Sequence, residues 1–206
     1  MNWSKALVLD VLLRGLAAAS LSFFAYGALV NWWANPQRIT LLLLVMTEGV
    51  TVGLVLFARE ARKRDWQPLS VTFTLVATFY FLALTLSPGT HLVPEWVASI
   101  LQCLGFSWQI YAKVSLGRSF GLLPADRGVV TIGAYRWLRH PIYFGYFVTH
   151  MGFLLANFSV QNLLVFAGLY IMQTFRIVRE EAVLLEQPVY RNYCGNVRYR
   201  LIPFVF

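Results

Sequence analysis

The chain has 206 residues, of which 58% are hydrophobic and only 13% charged, with a formal net charge of +8 and a mean hydropathy of +0.61. A soluble domain of this size cannot hide so much apolar material, so composition excludes that class and points to an integral membrane protein. The two cysteines, Cys103 and Cys194, show no CxxC or Cys/His spacing, which argues against a zinc site or a disulfide framework. The first apolar run is too long for a signal peptide and lacks a small-residue cleavage site.

Hydropathy predicts six spans, at about 8–30, 39–58, 69–87, 96–116, 141–157 and 160–178, each near the roughly 20 residues that cross a bilayer. In the first, Asp10 and Arg14 stand four apart, the helical spacing at which opposite charges meet. Asn35-Pro36 precedes the second, where Glu48 lies near mid-span with no partner at three or four positions. Such an acid must face the bundle interior, be protonated or pair with another helix. Gln67-Pro68 and Ser87-Pro88-Gly89 bound the third span, Pro94 precedes the fourth, and Lys113 lies near the fourth's end. The fifth carries His150 and the sixth ends at Arg176, and the tight Asn157-Phe158-Ser159 connection makes those two an antiparallel hairpin.

Positive charge falls on alternate connections. Arg59, Arg62, Lys63 and Arg64 follow the second span, Arg118, Arg127, Arg136 and Arg139 follow the fourth, and Arg179, Arg191, Arg198 and Arg200 follow the sixth, whereas the opposite loops hold only Arg38. Short basic loops stay in the cytoplasm, so both termini are expected there. Topology and anionic membrane lipid then account for the net charge, without nucleic acid. The expected fold is all-α, a polytopic membrane helical bundle of about six transmembrane helices in a single domain spanning 1–206.

Chemistry concentrates after the fourth span. The stretch Gly133-Ala-Tyr-Arg-Trp-Leu-Arg-His-Pro-Ile-Tyr-Phe-Gly145 sets basic and aromatic groups against an apolar run. Pro141 suits the first turn of the fifth helix with His140 at its cap. His140, Tyr143, Phe147 and His150 then recur on one helical stripe. The hairpin returns Glu180 and Glu181 to the depth of His140 and Tyr143, and Arg176, four residues before Glu180, is placed to orient that carboxylate. Two acids at a helix C-terminus oppose the helix dipole, a local cost that hints at a ligand or partner.

Several ordered motifs carry a family resemblance: Leu116-Gly-Arg-Ser-Phe-Gly121, the Gly-Val-Val-Thr-x-Gly-x-Tyr-x-x-x-Arg-His-Pro-x-Tyr-x-Gly block, the hairpin, Arg176-Ile-x-x-Glu-Glu-x-x-Leu, and a Tyr-x-x-Tyr tail ending in Arg200-Leu-Ile-Pro203. Over 113–206 the chain resembles the isoprenylcysteine carboxyl methyltransferase family, and 1–112 shows no comparable motif. The resemblance implies a membrane enzyme that takes S-adenosylmethionine from the cytoplasm, leaves S-adenosylhomocysteine, and methylates the carboxylate of a lipid-like or prenylated substrate entering from the bilayer. It implies a cytoplasm-facing cofactor pocket formed by the last hairpin and the C-terminal tail. His140, Pro141, Tyr143 and Gly145 match its cofactor motif and Glu180 and Glu181 its paired acids, with Tyr135 a neighbour. The substrate carboxylate calls for a cation, for which Arg176 is the first choice and Arg139 the second. Phospholipid N-methyltransferases share a paired-acid motif, and membrane sterol reductases, which use NADPH, share the tail pattern from Tyr193-Cys194 to Pro203. A lipid amine or small thiol acceptor, a reductase and a non-catalytic ligand carrier are therefore the alternatives.

Overall fold

The computed structural model describes residues 3–56, 75–76, 78–116 and 129–206. The basic segment 59–65, Gln67-Pro68 and the glycine-rich 117–128, with Arg118 and Arg127, lie outside the described residues, as does the side chain of Asp10. Among the described residues the structure is all-α. The helices are α1 (Trp3–Ala34), α2 (Ile39–Leu56), α3 (Glu95–Leu116), α4 (Pro141–Ala156), α5 (Val160–Leu184) and α6 (Pro188–Asn196), with 3-10 turns at Tyr80–Ala83 and Gly133–Arg136.

Five of the six predicted spans fall on α1 to α5; of the third, 75–76 and 78–79 are helical and continue into the Tyr80–Ala83 turn. The short helix α6 and the extension of α5 to Leu184 were not expected. Among the described residues Arg14–Ala34 is long and apolar enough to cross a membrane, and Ile39–Gly53 and Pro141–Ala156 are shorter apolar helices. The helices α3 and α5 are less apolar because each carries a polar stripe: Gln102, Gln109 and Lys113 on α3, and Asn162, Gln173, Arg176 and Glu180 on α5. Apolar side chains nevertheless point outward, among them Phe23, Trp33, Leu104, Leu164 and Ile171, over more surface than water tolerates comfortably.

Two different seams hold α4. Against α3 the contact is close because glycines remove the side chains: a Cβ on Gly105 would lie 2.5 Å from Thr149 N, and one on Gly152 would lie 2.8 Å from Ala98 O. Backbone atoms cannot yield to such an intrusion, so small residues set the helix separation. Against α5 the spacing is wider and filled by rings, with Phe153 and Phe166 at 6.2 Å, His150 and Phe166 at 4.8 Å, and Phe147 and Tyr170 at 5.3 Å between centroids. Phe24, Leu41, Leu44, Phe81, Phe153 and Phe166 belong to one buried cluster that joins α1, α2, the Tyr80–Ala83 turn and the hairpin.

The hairpin-turn end is closed by polar bonds. Arg38, 2% exposed, donates to the carbonyls of Leu86 (2.8 Å) and Ser87 (3.3 Å) and to Asn157 Oδ1 (2.7 Å). Thr90 and Phe158 exchange backbone bonds of 2.9 and 3.0 Å beside Gly89, where a Cβ would lie 2.6 Å from Phe158 O. This end is knitted shut, which leaves chemistry to the opposite end and to the interior.

Candidate active site

Pro141 takes the first helical position of α4 and its carbonyl accepts from Trp108 Nε1 at 2.9 Å, fixing the helix start to α3. Gly133, at φ +60, turns the chain into this start; a Cβ there would run into Ser115, whose Oγ accepts the Ala134 N–H at 3.2 Å. The tail then docks on the same point, Arg139 N donating to Tyr199 O at 3.0 Å and His140 N to Arg200 O at 2.8 Å. The Tyr193 hydroxyl donates to the Tyr135 carbonyl at 2.7 Å and lies 3.3 Å from that of Leu138.

Glu181 is the centre of this junction and only 2% exposed. Its Oε2 lies 2.7 Å from Arg200 Nε and 3.3 Å from Arg139 Nη1, and its Oε1 lies 3.3 Å from His140 Nε2 and 3.4 Å from the Tyr190 hydroxyl. Burial raises the acid's pKa, but the hydrogen bonds from His140 and Arg200, with the charges of His140 and Arg139, outweigh it and hold the carboxyl at about 2. Arg139 is committed to the same structure, since its Nε donates to Val197 O at 2.7 Å and its Nη2 to Cys194 O at 3.2 Å. The expected second cation for substrate is thus a clamp on the tail.

Beside this anchor the surface is more open. Glu180 is half-buried and hydrogen-bonds the Tyr143 hydroxyl. Tyr143 stacks on His140 at 5.7 Å and 12°, and the Arg176 guanidinium lies over its ring at 5.6 Å. Arg176 therefore caps the aromatic pair, in addition to standing one turn before Glu180. Burial, with the charge of Glu180 nearby, pushes the Tyr135 phenol up. Gly145 faces the other way, onto the α3 seam, where a Cβ would run into the Gln109 side chain and approach Gly105 O to 3.0 Å. His140, Tyr143, Glu180, Glu181, Arg176 and Tyr135 are brought together, whereas Gly145 and Pro141 shape the helix that carries them.

Further along the same α4 stripe lies a second polar cluster. Glu48 finds its partner across the bundle: the Tyr80 hydroxyl is 2.8 Å from Glu48 Oε1 and 2.8 Å from His150 Nε2, and His150 Nδ1 is 2.7 Å from the Tyr170 hydroxyl. His150 Nε2 is also 3.7 Å from Glu48 Oε1. Lys113 donates to Thr51 Oγ1 (3.1 Å) and Gln109 Oε1 (3.3 Å) and lies over the Tyr146 ring, which stacks on His150 at 5.9 Å. Thr51 and Tyr146 share a 2.6 Å hydrogen bond. Sequence reasoning singled out Glu48, Lys113 and His150 but missed Tyr80, Tyr146, Tyr170 and Thr51, and it quoted Arg200 and the Tyr190/Tyr193 pair without a role. The recurrence of Tyr143 and Tyr146 on one helix was the available signal; the cross-helix pairing had none.

Residues 98–186 match the model of the isoprenylcysteine carboxyl methyltransferase family. The chain is 28% identical, over 206 aligned residues covering 95% of it and 72% of the relative, to the methanethiol S-methyltransferase of Pseudomonas deceptionensis. It is 39% identical over 90 residues to the protein-S-isoprenylcysteine O-methyltransferase of Schizosaccharomyces pombe, an alignment covering 40% of this chain and 38% of that protein.

Proposed function

We propose that the chain, which matches the isoprenylcysteine carboxyl methyltransferase family over residues 98–186, is a membrane-embedded methyltransferase of that kind using S-adenosylmethionine, with its cofactor held at the start of α4 and its acceptor arriving from the bilayer. The observation that carries this reading is the meeting of Tyr143, Glu180 and Arg176 inside the family-matched segment. Bound there, the cofactor supplies a methyl group on an electrophilic sulfonium.

The residues present fit such a ligand. Glu180 retains an exposed face, where a carboxylate accepts from an amine or ribose hydroxyls, while the oxygens of Glu181 are already engaged. The Oε1 of Gln173, on the α5 stripe leading inward, is buried with no hydrogen-bond partner among the described residues. His140 and Tyr143 offer stacked faces, and Arg176 supplies the positive charge beside them. Positioning and exclusion of water are the main contributions asked of these groups. The outward apolar side chains of α1, α3 and α5 support embedding in lipid, and the basic residues that follow α2, α3 and α5 support a cytoplasmic side for the termini and this mouth.

Two acceptor classes divide the proposal. An ionised carboxylate, as on an isoprenylcysteine, needs no base. A thiol must lose a proton, and the buried Glu48 network together with the alignment along most of the chain favours that second reading. The test is calorimetry on detergent-purified protein, followed by labelled methyl transfer into thiols, prenylated peptides and extracted lipids. Binding of S-adenosylhomocysteine and transfer of label are expected; binding of NADPH in its place sinks the methyltransferase reading.

A further inference from the structure

The interior cluster has a direction. The Tyr80 hydroxyl donates to Glu48 Oε1 at 2.8 Å and so spends its one proton there. The 2.8 Å contact between Tyr80 and His150 Nε2 must then be filled by an Nε2–H donating to the phenol oxygen. A neutral imidazole carrying its proton there has a bare Nδ1, which accepts from the Tyr170 hydroxyl at 2.7 Å. Every donor in the row points the same way, from Tyr170 through His150 and Tyr80 to Glu48. Glu48, Tyr80 and His150 are buried, whereas Tyr170 is half-buried, so Tyr170 is the least enclosed end of the row. Gln173, one turn from Tyr170 toward Arg176, has a buried side-chain oxygen with no partner among the described residues, between that end and the mouth. The groups facing the row are Thr51 on α2, Lys113 and Gln109 on α3, and Tyr146 on α4.

We propose that this row is a proton relay opening at Tyr170, and that the methyl acceptor is a thiol laid between Tyr170 and Arg176. The inference rests on the methyltransferase reading and names its substrate class. The electron pair of the thiol's S–H bond forms the new S–CH3 bond, and the methyl carbon's bond to the donor sulfonium breaks with its pair left on that sulfur. The thiol proton enters at the Tyr170 oxygen, the Tyr170 proton passes to His150 Nδ1, the Nε2 proton to Tyr80, and the Tyr80 proton to the Glu48 carboxylate. A neutral acid remains, which the interior holds more readily than an added charge. A carboxylate acceptor would leave this row idle.

The experiment uses the full chain in lipid nanodiscs with S-adenosylmethionine, ethanethiol as thiol acceptor, and S-farnesylated N-acetylcysteine as carboxylate acceptor. Tyr170→Phe keeps the ring and removes only the entry oxygen; Glu48→Gln removes the terminus. Both are expected to lower turnover of the thiol roughly 100-fold at neutral pH, with the gap closing as rising pH ionises the thiol unaided. Their affinity for S-adenosylhomocysteine should equal that of the unaltered protein. Nitrogen NMR of labelled histidine, with His150 assigned through His150→Gln, should show the neutral Nε2–H tautomer. Loss of S-adenosylhomocysteine binding by the unaltered protein overturns the methyltransferase reading and the relay with it. With that binding intact, a Tyr170→Phe pH profile parallel to the unaltered one, an Nδ1–H or doubly protonated His150, or methylation of the carboxylate acceptor alone overturns the relay and leaves the methyltransferase standing.

Discussion

One stripe of α4 meets a buried acid at each end, and the two acids are treated in opposite ways. At the mouth, Glu181 is surrounded by Arg139, His140 and Arg200. In the interior, Glu48 receives a phenol that is itself linked to an imidazole and a second phenol. An acid ringed by cations has its charge fixed and serves as an anchor for the chain segments that supply them. An acid at the end of a row of hydrogen-bonded phenols and an imidazole is placed to gain a proton with small movements of hydrogens, which is a chemical property.

Removing the anchor is the largest way to break this contrast. Glu181→Gln leaves Arg139 and Arg200 facing a neutral amide, and breaking a buried pair typically costs about 3 kcal/mol or more. Thermal unfolding in detergent should show a large drop in midpoint, with early proteolysis after Leu184 as α6 and the tail come away. Because the folded-state pKa of about 2 lies below the ordinary 4.5, the stability supplied by Glu181 is fully present above about pH 4.5 and is lost as pH falls from there toward about 2. The variant should lack that component of acid sensitivity. A variant with the same pH curve as the unaltered protein would show that the clamp does not anchor the tail.

The same contrast explains what was legible in the sequence. The mouth was readable because its partners lie in one hairpin: Pro141 fixes where α4 begins, Asn157-Phe158-Ser159 fixes where it turns, and helical rise does the rest, so Glu180 and Glu181 had to return near His140 and Tyr143. That Arg200 and Tyr190 reach Glu181 depends on how the tail folds back through Tyr199 and Arg200 backbone bonds, a contact with no periodic signature. In the interior, Glu48 was legible as an acid needing a partner, but Tyr80 and His150 come from two other elements, and no local pattern pairs three helical segments. Gly145 carried two meanings: motif position suggested the pocket, while packing assigns it to the α3 seam.

Between the extremes stand the groups that the proposed cofactor and acceptor would touch. Glu180→Gln should raise the dissociation constant for S-adenosylhomocysteine about tenfold, near 1.4 kcal/mol, with the unfolding midpoint unchanged, because Glu180 is half-buried and bonded to Tyr143 rather than to the clamp. An unchanged constant by calorimetry would remove Glu180 from the pocket. Arg176→Lys should retain that affinity within a few-fold and lose turnover, since an ammonium on a flexible stem does not reproduce a guanidinium held over the Tyr143 ring. Full turnover in single-time-point assays would exclude Arg176 as the acceptor's cation.

The smallest effect comes from deleting the Tyr190 phenol oxygen, and its contrast with the same deletion at Tyr80 separates the two ends most cleanly. The Tyr190 hydroxyl approaches Glu181 Oε1 at 3.4 Å, the long limit of a hydrogen bond, and three basic side chains remain on that carboxylate when it is gone. Tyr190→Phe should therefore cost only about 0.5 kcal/mol in unfolding experiments. Tyr80→Phe removes the same atom from a position bonded at 2.8 Å on both sides, leaving Glu48 and His150 buried without their link, at a cost of about 2 kcal/mol. The ordering follows from redundancy: where several cations share one acid no single neutral donor matters, and where donors run in series each one does. Equal losses for the two variants would mean that the mouth is held by Tyr190 as much as by its cations, and the distinction between anchor and relay would fail.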